Sequence, residues 1–234
     1  MNSWHELPHA AFDLETTGRD PQTARIVTAS IILVNGQGEV SRHHEWLSAV
    51  EIDIPAEAAA IHGVTTERAR AEGLPAATVT AEIAGILGGM FSAGIPVLAF
   101  NASYDFTVLA RECERFGLTA PVPMPVIDPF VLDKQVDRYR RGKRTLTALT
   151  EHYGVGFENA HTSAADVMAT LGVARAMAGR YPVLHGEASQ LHTAQVGWAR
   201  AQAASLEQYL RRSDPAAVVD GTWPARPVQG TAGN

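Results

Sequence analysis

The sequence predicts an α/β domain built on a mixed sheet of five strands, and three observations carry that prediction. Three strand-like runs come first, the second and third joined by a hairpin signal. Short apolar strands then alternate with segments of helical periodicity, the order that builds a mixed sheet flanked by helices. The chain has 234 residues, 46% hydrophobic and 19% charged, enough for one core with an appendage.

The elements follow in order. Ala10–Glu15 reads as a buried strand that ends at the turn Thr16-Thr17-Gly18. Ile26–Val34 is rich in β-branched residues and stops at Asn35-Gly36-Gln37-Gly38, a hairpin signal, so Glu39–Leu47 is the returning strand. Ala76–Phe91 is helical. Pro96–Phe100 is a short apolar strand, and Ala102–Phe116 a helix closed by Gly117. Pro125–Asp128 is the fifth strand, with Pro129 suited to the first position of the next helix. Thr145–Tyr153 and Ala164–Ala178 are helices closed by Gly154 and Gly179. This places the domain at residues 1–180. Pro182 breaks the chain, and an amphipathic helix over about Glu187–Arg212, bearing Leu191, Trp198, Leu206 and Leu210, forms an extension at 181–212. The Pro- and Gly-rich residues 213–234 are expected to be irregular.

Bulk properties exclude several classes. No run approaches 18 apolar residues, so no membrane span is expected. The first residues lack the basic and apolar regions of a signal peptide. Cys113 is the only cysteine, which excludes an internal disulfide and fits a cytoplasmic setting. The net charge of −6 argues against polyanion binding by the whole surface. The dense basic run Arg138–Arg144 remains a local candidate, either a solvated loop or, through residues such as Arg140 and Arg141, a phosphate contact.

The chemistry begins with Asp13 and Glu15. Residues i and i+2 of a strand share a face, so both carboxylates converge on one spot while Phe12 and Leu14 take the other face. Unpaired buried carboxylates are costly, and a divalent cation removes the cost. Two further acids fit the same scheme: Asp105, in the first turn of a helix just past a strand end, and Asp166, which with His161 brackets a helix start. Such ends are where open α/β sheets place their sites. Each residue alone has a plainer role. Asp105 suits the helix dipole, Asp166 completes a capping box from Ser163, and His161 is an ordinary surface histidine. Five residues span about 500° of helix, so His161 belongs on the loop before the helix rather than on one face with Asp166.

Phe12-Asp13-Leu14-Glu15-Thr16-Thr17-Gly18, then Ile61-His62-Gly63-Val64-Thr65, Asn101 with Asp105, and His161 with Asp166 together resemble the DnaQ-like 3′–5′ exonucleases. Within them the match is to the DEDDh group of four acids and a histidine, which includes proofreading subunits of bacterial replicative polymerases. A related group carries tyrosine four residues before its last acid; here that residue is Thr162. Two departures stand out. Phe100 occupies a place where histidine is common, and Asp128-Pro129 one where Asp-Thr is common.

The resemblance implies a ribonuclease H-like fold and two ions, Mg²⁺ or Mn²⁺, held by Asp13, Glu15, Asp105 and Asp166, with His161 as general base. Hard oxygen ligands suit those ions, and a pair of ions suits phosphodiester hydrolysis. It further implies that Thr16, Thr17, Gly18, His62 and Asn101 contact the substrate. The expected activity is 3′–5′ exonucleolytic hydrolysis of DNA, single-stranded above all, releasing nucleoside 5′-monophosphates. The alternatives are an exoribonuclease and a noncatalytic polymerase-associated subunit. Any polymerase partner is expected to be a separate chain.

Overall fold

The structure is a computed structural model and describes residues 3–157 and 160–227; the end of the expected irregular tail lies outside them. β1 (His9–Thr16), β2 (Ile26–Val34) and β3 (Val40–Ala49) form an antiparallel set. β4 (Leu74–Pro75) adds in parallel to β3, while β5 (Val97–Leu98) and β6 (Val126–Ile127) add in parallel beyond β1. The order is β4-β3-β2-β1-β5-β6. The sheet is therefore mixed, as expected, but has six strands rather than five. The extra strand is two residues long, too short to carry any period-2 signal.

Eight α-helices are described. α1 (Ala56–His62) and α2 (Thr66–Glu72) lie between β3 and β4 and have no counterpart in the sequence-based expectation. Each is seven residues long, and their local stops and starts are the real signal. Gly63 closes α1 at φ 74°, and Thr65 caps α2 by accepting from the Arg68 N–H. α3 (Ala76–Ser92), α4 (Ser103–Arg115), α5 (Pro129–Val136), α6 (Leu146–Tyr153) and α7 (Ser163–Arg180) agree with expectation to within a few residues. Gly179 does not close α7, which runs to Arg180 and stops at extended Tyr181 before Pro182, because a residue preceding proline disfavours the helical region.

The central strand distributes its side chains by period 2. Ala10, Phe12 and Leu14 join Ile31, Ile83, Leu87, Phe106 and Leu109 in the core under α3 and α4. Ala11 faces the other way, into the core of Ile32, Leu98, Leu149, Val167 and Met177 under α6 and α7. Asp13 and Glu15 share the Ala11 face, so they emerge beside the start of α7.

α8 (Ala188–Leu210) packs on β6 and α5. Its polar side chains seal the sheet edge. The Val126 N–H donates to His192 Nδ1 at 3.0 Å, the Asp128 N–H donates to Gln195 Oε1 at 2.8 Å, and Gln195 Nε2 donates to the Val126 carbonyl at 3.1 Å. An uncovered edge strand invites unwanted pairing. Past α8 the chain turns back and buries Trp223, whose Nε1 donates to Asp128 Oδ2 at 3.1 Å. Among the described residues no helix is long and apolar enough to cross a membrane.

Candidate active site

Three elements deliver the acids. β1 presents Asp13 and Glu15, and α7 presents Asp166 from its first turn; one carboxylate oxygen from each lies within 4.8 Å of the others. Asp105 stands outside that trio. It sits in the first turn of α4, buried, and its Oδ1 accepts the Leu14 N–H at 3.1 Å, which ties α4 to β1.

Four acids this close cannot all ionise at ordinary values. Burial lifts the Asp13 pKa well above the usual carboxylate range, and Asp105, Asp166 and Glu15 add repulsion. Glu15 is pushed up to about 8, by burial first and Asp166 second. Burial also raises Asp105, against the opposing pull of the N–H groups it accepts, and raises Asp166, against the pull of the His161 N–H. Asp13 Oδ2 is withdrawn from solvent and has no hydrogen-bond partner among the described residues. Orphaned buried oxygen is costly, and a set of hard carboxylate donors is the environment in which Mg²⁺ or Mn²⁺ removes the cost. The residues present fit that group.

His161 lies on the loop before α7, exposed and at φ 71°, and its N–H donates to Asp166 Oδ1 at 3.2 Å. The capping box from Ser163 does not form. Thr162 is the N-cap, accepting from the Ala165 N–H, and Ser163 is the first helical residue. Asp166 is thereby free to face the acids on β1. His161 and His62 line a cleft with Thr28, Leu47 and Arg68.

His62 also lines a second cleft, about 580 Å³, formed by Glu15, Thr16, Thr17, Gly18, Ile61 and Tyr104 among others. Ligand pockets fall in this size range. His62 closes α1, and its Nδ1 accepts the Val64 N–H at 3.2 Å, which fixes the ring. Burial lowers its pKa, with the Thr16 backbone acting in the opposite sense. Thr17 is buried and brackets Arg25, donating to its carbonyl and accepting its N–H on Oγ1, each at 3.0 Å. Tyr104 was not among the expected site residues. Its hydroxyl is in hydrogen-bond contact with both Thr16 Oγ1 and the Gly18 carbonyl, and Thr16 Oγ1 itself donates to Gly18 at 3.0 Å. Burial raises the Tyr104 hydroxyl to about 12, so it stays protonated. The one signal that pointed to it was its place next to Asp105.

The other expected residues are placed less directly. Asn101 is exposed at φ 61° in the turn into α4, and its N–H donates to Asp128 Oδ1 at 2.9 Å. Asp128 is a structural junction. It caps α5 by accepting from Phe130 and also accepts the N–H groups of Asn101, Ala102 and Trp223. Of the two arginines expected to contact phosphate, Arg140 turns inward to buried Asp133 at 3.0 Å, while Arg141 is exposed.

A family model described as RNase_T, exonuclease, matches residues 10–174. A curated relative from Rhodobacter capsulatus, a DNA polymerase III subunit epsilon-like protein, is 30% identical over 169 residues, covering 70% of this chain. The chain spans only 23% of that relative's length. Among solved structures, exonuclease I superposes with a TM-score of 0.65 at 22% identity, over 76% of this chain and 42% of the other. The zinc-bound E. coli exonuclease I complex with single-stranded DNA gives the same values. The E. coli enzyme with a dT13 oligonucleotide gives 0.63 at 21% identity, with the same coverage. At these identities the superpositions show a shared fold. The model match over residues 10–174, set on the sheet and acids described above, places this chain in the RNase_T exonuclease family.

Proposed function

We propose that this protein is a metal-dependent 3′–5′ exonuclease that removes nucleotides from the 3′ end of DNA and releases nucleoside 5′-monophosphates. The observation that carries the reading is the convergence of Asp13, Glu15 and Asp166, with Asp105 behind them, beside an open cleft. A scaffold has no physical need for like-charged acids in one place. The DNA assignment draws on the company this chain keeps: an epsilon-like relative and exonuclease I structures holding DNA. A DNA polymerase is the proposed partner on the same ground.

Asp13, Glu15, Asp105 and Asp166 would hold two Mg²⁺ or Mn²⁺ ions. Such ions, when bound, lower the pKa of water and offset charge at the attacked phosphate and the leaving oxygen. The chain's own residues do the rest. His161 takes the proton of the attacking water on its imidazole, a general-base role suited to histidine near neutral pH. The bond from its N–H to Asp166 ties the loop to the acids. Thr16, Thr17, Gly18 and His62 receive the terminal nucleotide in the cleft, and Asn101 faces the strand from the turn into α4.

Matched 5′-labelled DNA and RNA strands, single- and double-stranded, test this with Mg²⁺, Mn²⁺ or EDTA present. The expected result is a ladder shortening from the 3′ end of DNA, blocked by a 3′-phosphate and abolished by EDTA. Turnover in excess EDTA, or efficient cutting of circular single-stranded DNA, would refute it. Faster degradation of RNA would redirect it to an exoribonuclease.

A further inference from the structure

We propose that the basic loop after α5, together with the outer face of α8, forms a track for the 5′-ward part of a single-stranded nucleic acid. The proposal rests on the exonuclease reading and adds a binding surface away from the acids.

The chain carries a net charge of −6, yet residues 138–144 hold Arg138, Arg140, Arg141, Lys143 and Arg144. Two of these are structural. Arg140 and Arg144 both pair with Asp133, which is 0% exposed and also accepts the Tyr153 hydroxyl at 2.8 Å. Arg144 further donates to the Asp137 carbonyl at 2.6 Å. The loop is thus folded over a buried carboxylate, which gives its outward residues fixed positions. Among the described residues, Arg138, Arg141 and Lys143 form no salt bridge. Tyr139 is 87% exposed, with the Arg138 guanidinium 5.9 Å from its ring centre.

Facing this loop is a groove. Lys134, Arg138 and Arg144 line one wall, and Gln202, Leu206 and Tyr209 of α8 line the other. Tyr209 is 63% exposed, with Arg212 5.7 Å from its ring centre. Neither tyrosine ring serves the core. Cations interleaved with open aromatic faces are what single strands bind: phosphates pair with the cations and bases stack on the rings. The groove and the site are joined through α5. Asp128, which caps α5, holds the turn leading to Asp105, and eight residues of helix carry the chain about 12 Å from there to the loop.

The test compares short (about three nucleotides) and long (about twenty) 5′-labelled single strands as substrates, using the triple variant Arg138→Ala, Tyr139→Ala, Lys143→Ala and, separately, Tyr209→Ala. Wild type should show a lower KM for the long strand. The triple variant should raise that KM about tenfold and leave kcat and short-strand hydrolysis unchanged. Anisotropy in EDTA should show its salt dependence shallower by about 1.4 in log–log slope, about 0.7 for each cation removed. Tyr209→Ala should raise the long-strand KM without changing the slope. Equal KM for long and short strands in wild type, with cleavage intact, overturns the track and leaves the exonuclease reading standing. Equal losses on both strand lengths overturn it as well. No cleavage of any 3′ end overturns both. If poly-glutamate binds wild type more tightly than DNA of equal length and the triple variant loses it, the groove is a peptide dock and the track is wrong.

Discussion

Asp13 is a carboxylate facing three others, and its behaviour sets the site's dependence on pH and metal. Glu15 is the group with the clearest window, lifted from 4.5 to about 8. An acid raised on folding binds protons that the unfolded chain releases, so without metal stability is lost as pH rises from about 4.5 to about 8. The Glu15 share of the thermal midpoint in EDTA, read as the difference between wild type and Glu15→Gln, should fall across that window, and saturating Mn²⁺ should flatten the fall. Asp13→Asn should abolish cleavage and raise the EDTA midpoint at pH 8 by relieving repulsion; a lower midpoint there would remove the electrostatic argument. Tyr104 supports a separate expectation. Tyr104→Phe deletes the hydroxyl shared with Thr16 and Gly18, a loss of about 1 kcal/mol in a typical net hydrogen bond. KM should rise about fivefold with kcat little changed, and an unaltered KM would show that the turn holds itself. Residue type explains why the convergence of Asp13, Glu15 and Asp166 was legible in the sequence: a strand has no ordinary use for Asp13 and Glu15. Tyr104 was not legible because a tyrosine near a helix start is unremarkable until its hydroxyl is seen to reach a turn 86 residues away in sequence.

Elements were legible where they ran long enough to show a period or, like two-residue β5 and β6, sat inside a short apolar run. β1, β2 and β3 run eight to ten residues and show their period, whereas α1 and α2 at seven residues and β4 at two do not. The missed pair matters, because α1 carries His62 and the apolar wall of Ala58 and Ile61 in the larger cleft. The basic run was legible as charge but not as architecture. Sequence gives no sign that Asp133, in the middle of α5, gathers Arg140, Arg144 and Tyr153. Removing one side of a buried ion pair leaves the other uncompensated, at a cost of about 3 kcal/mol. Asp133→Ala should lower unfolding free energy by about that amount in urea titrations and release the loop to protease. A loss under about 0.5 kcal/mol, the level of an ordinary surface change, would mean that solvent already serves both guanidinium groups.

At the scale of the whole molecule, the segment after Arg180 was legible as an amphipathic helix through Leu191 and Trp198, but its contribution to the sheet was not. That contribution comes from polar residues: His192 and Gln195 satisfy the outer backbone groups of β6, and Trp223 reaches Asp128. The connection bears on the site, since Asp128 holds Asn101 and Ala102 at the start of the helix carrying Asp105. His192 makes the connection pH-dependent. Its Nδ1 must be unprotonated to accept the Val126 N–H, its ring lies 5.0 Å from Trp223, and burial lowers its pKa below 6.5. The unfolded chain therefore binds the proton more readily. The stability contribution is fully present above about 6.5 and is lost as pH falls through the depressed folded value. His5 and His9 are also depressed by burial and titrate in the same direction, so acid destabilisation alone does not isolate His192. His192→Asn does, because the amide oxygen offers Val126 a similarly placed acceptor that takes up no proton in this range. The variant should keep most of the wild-type midpoint at pH 7.5 and lose less of it on going to pH 5. Midpoint curves that run parallel for the two proteins would show that His192 takes up its proton equally in the folded and unfolded chains, and that the edge seal is blind to pH.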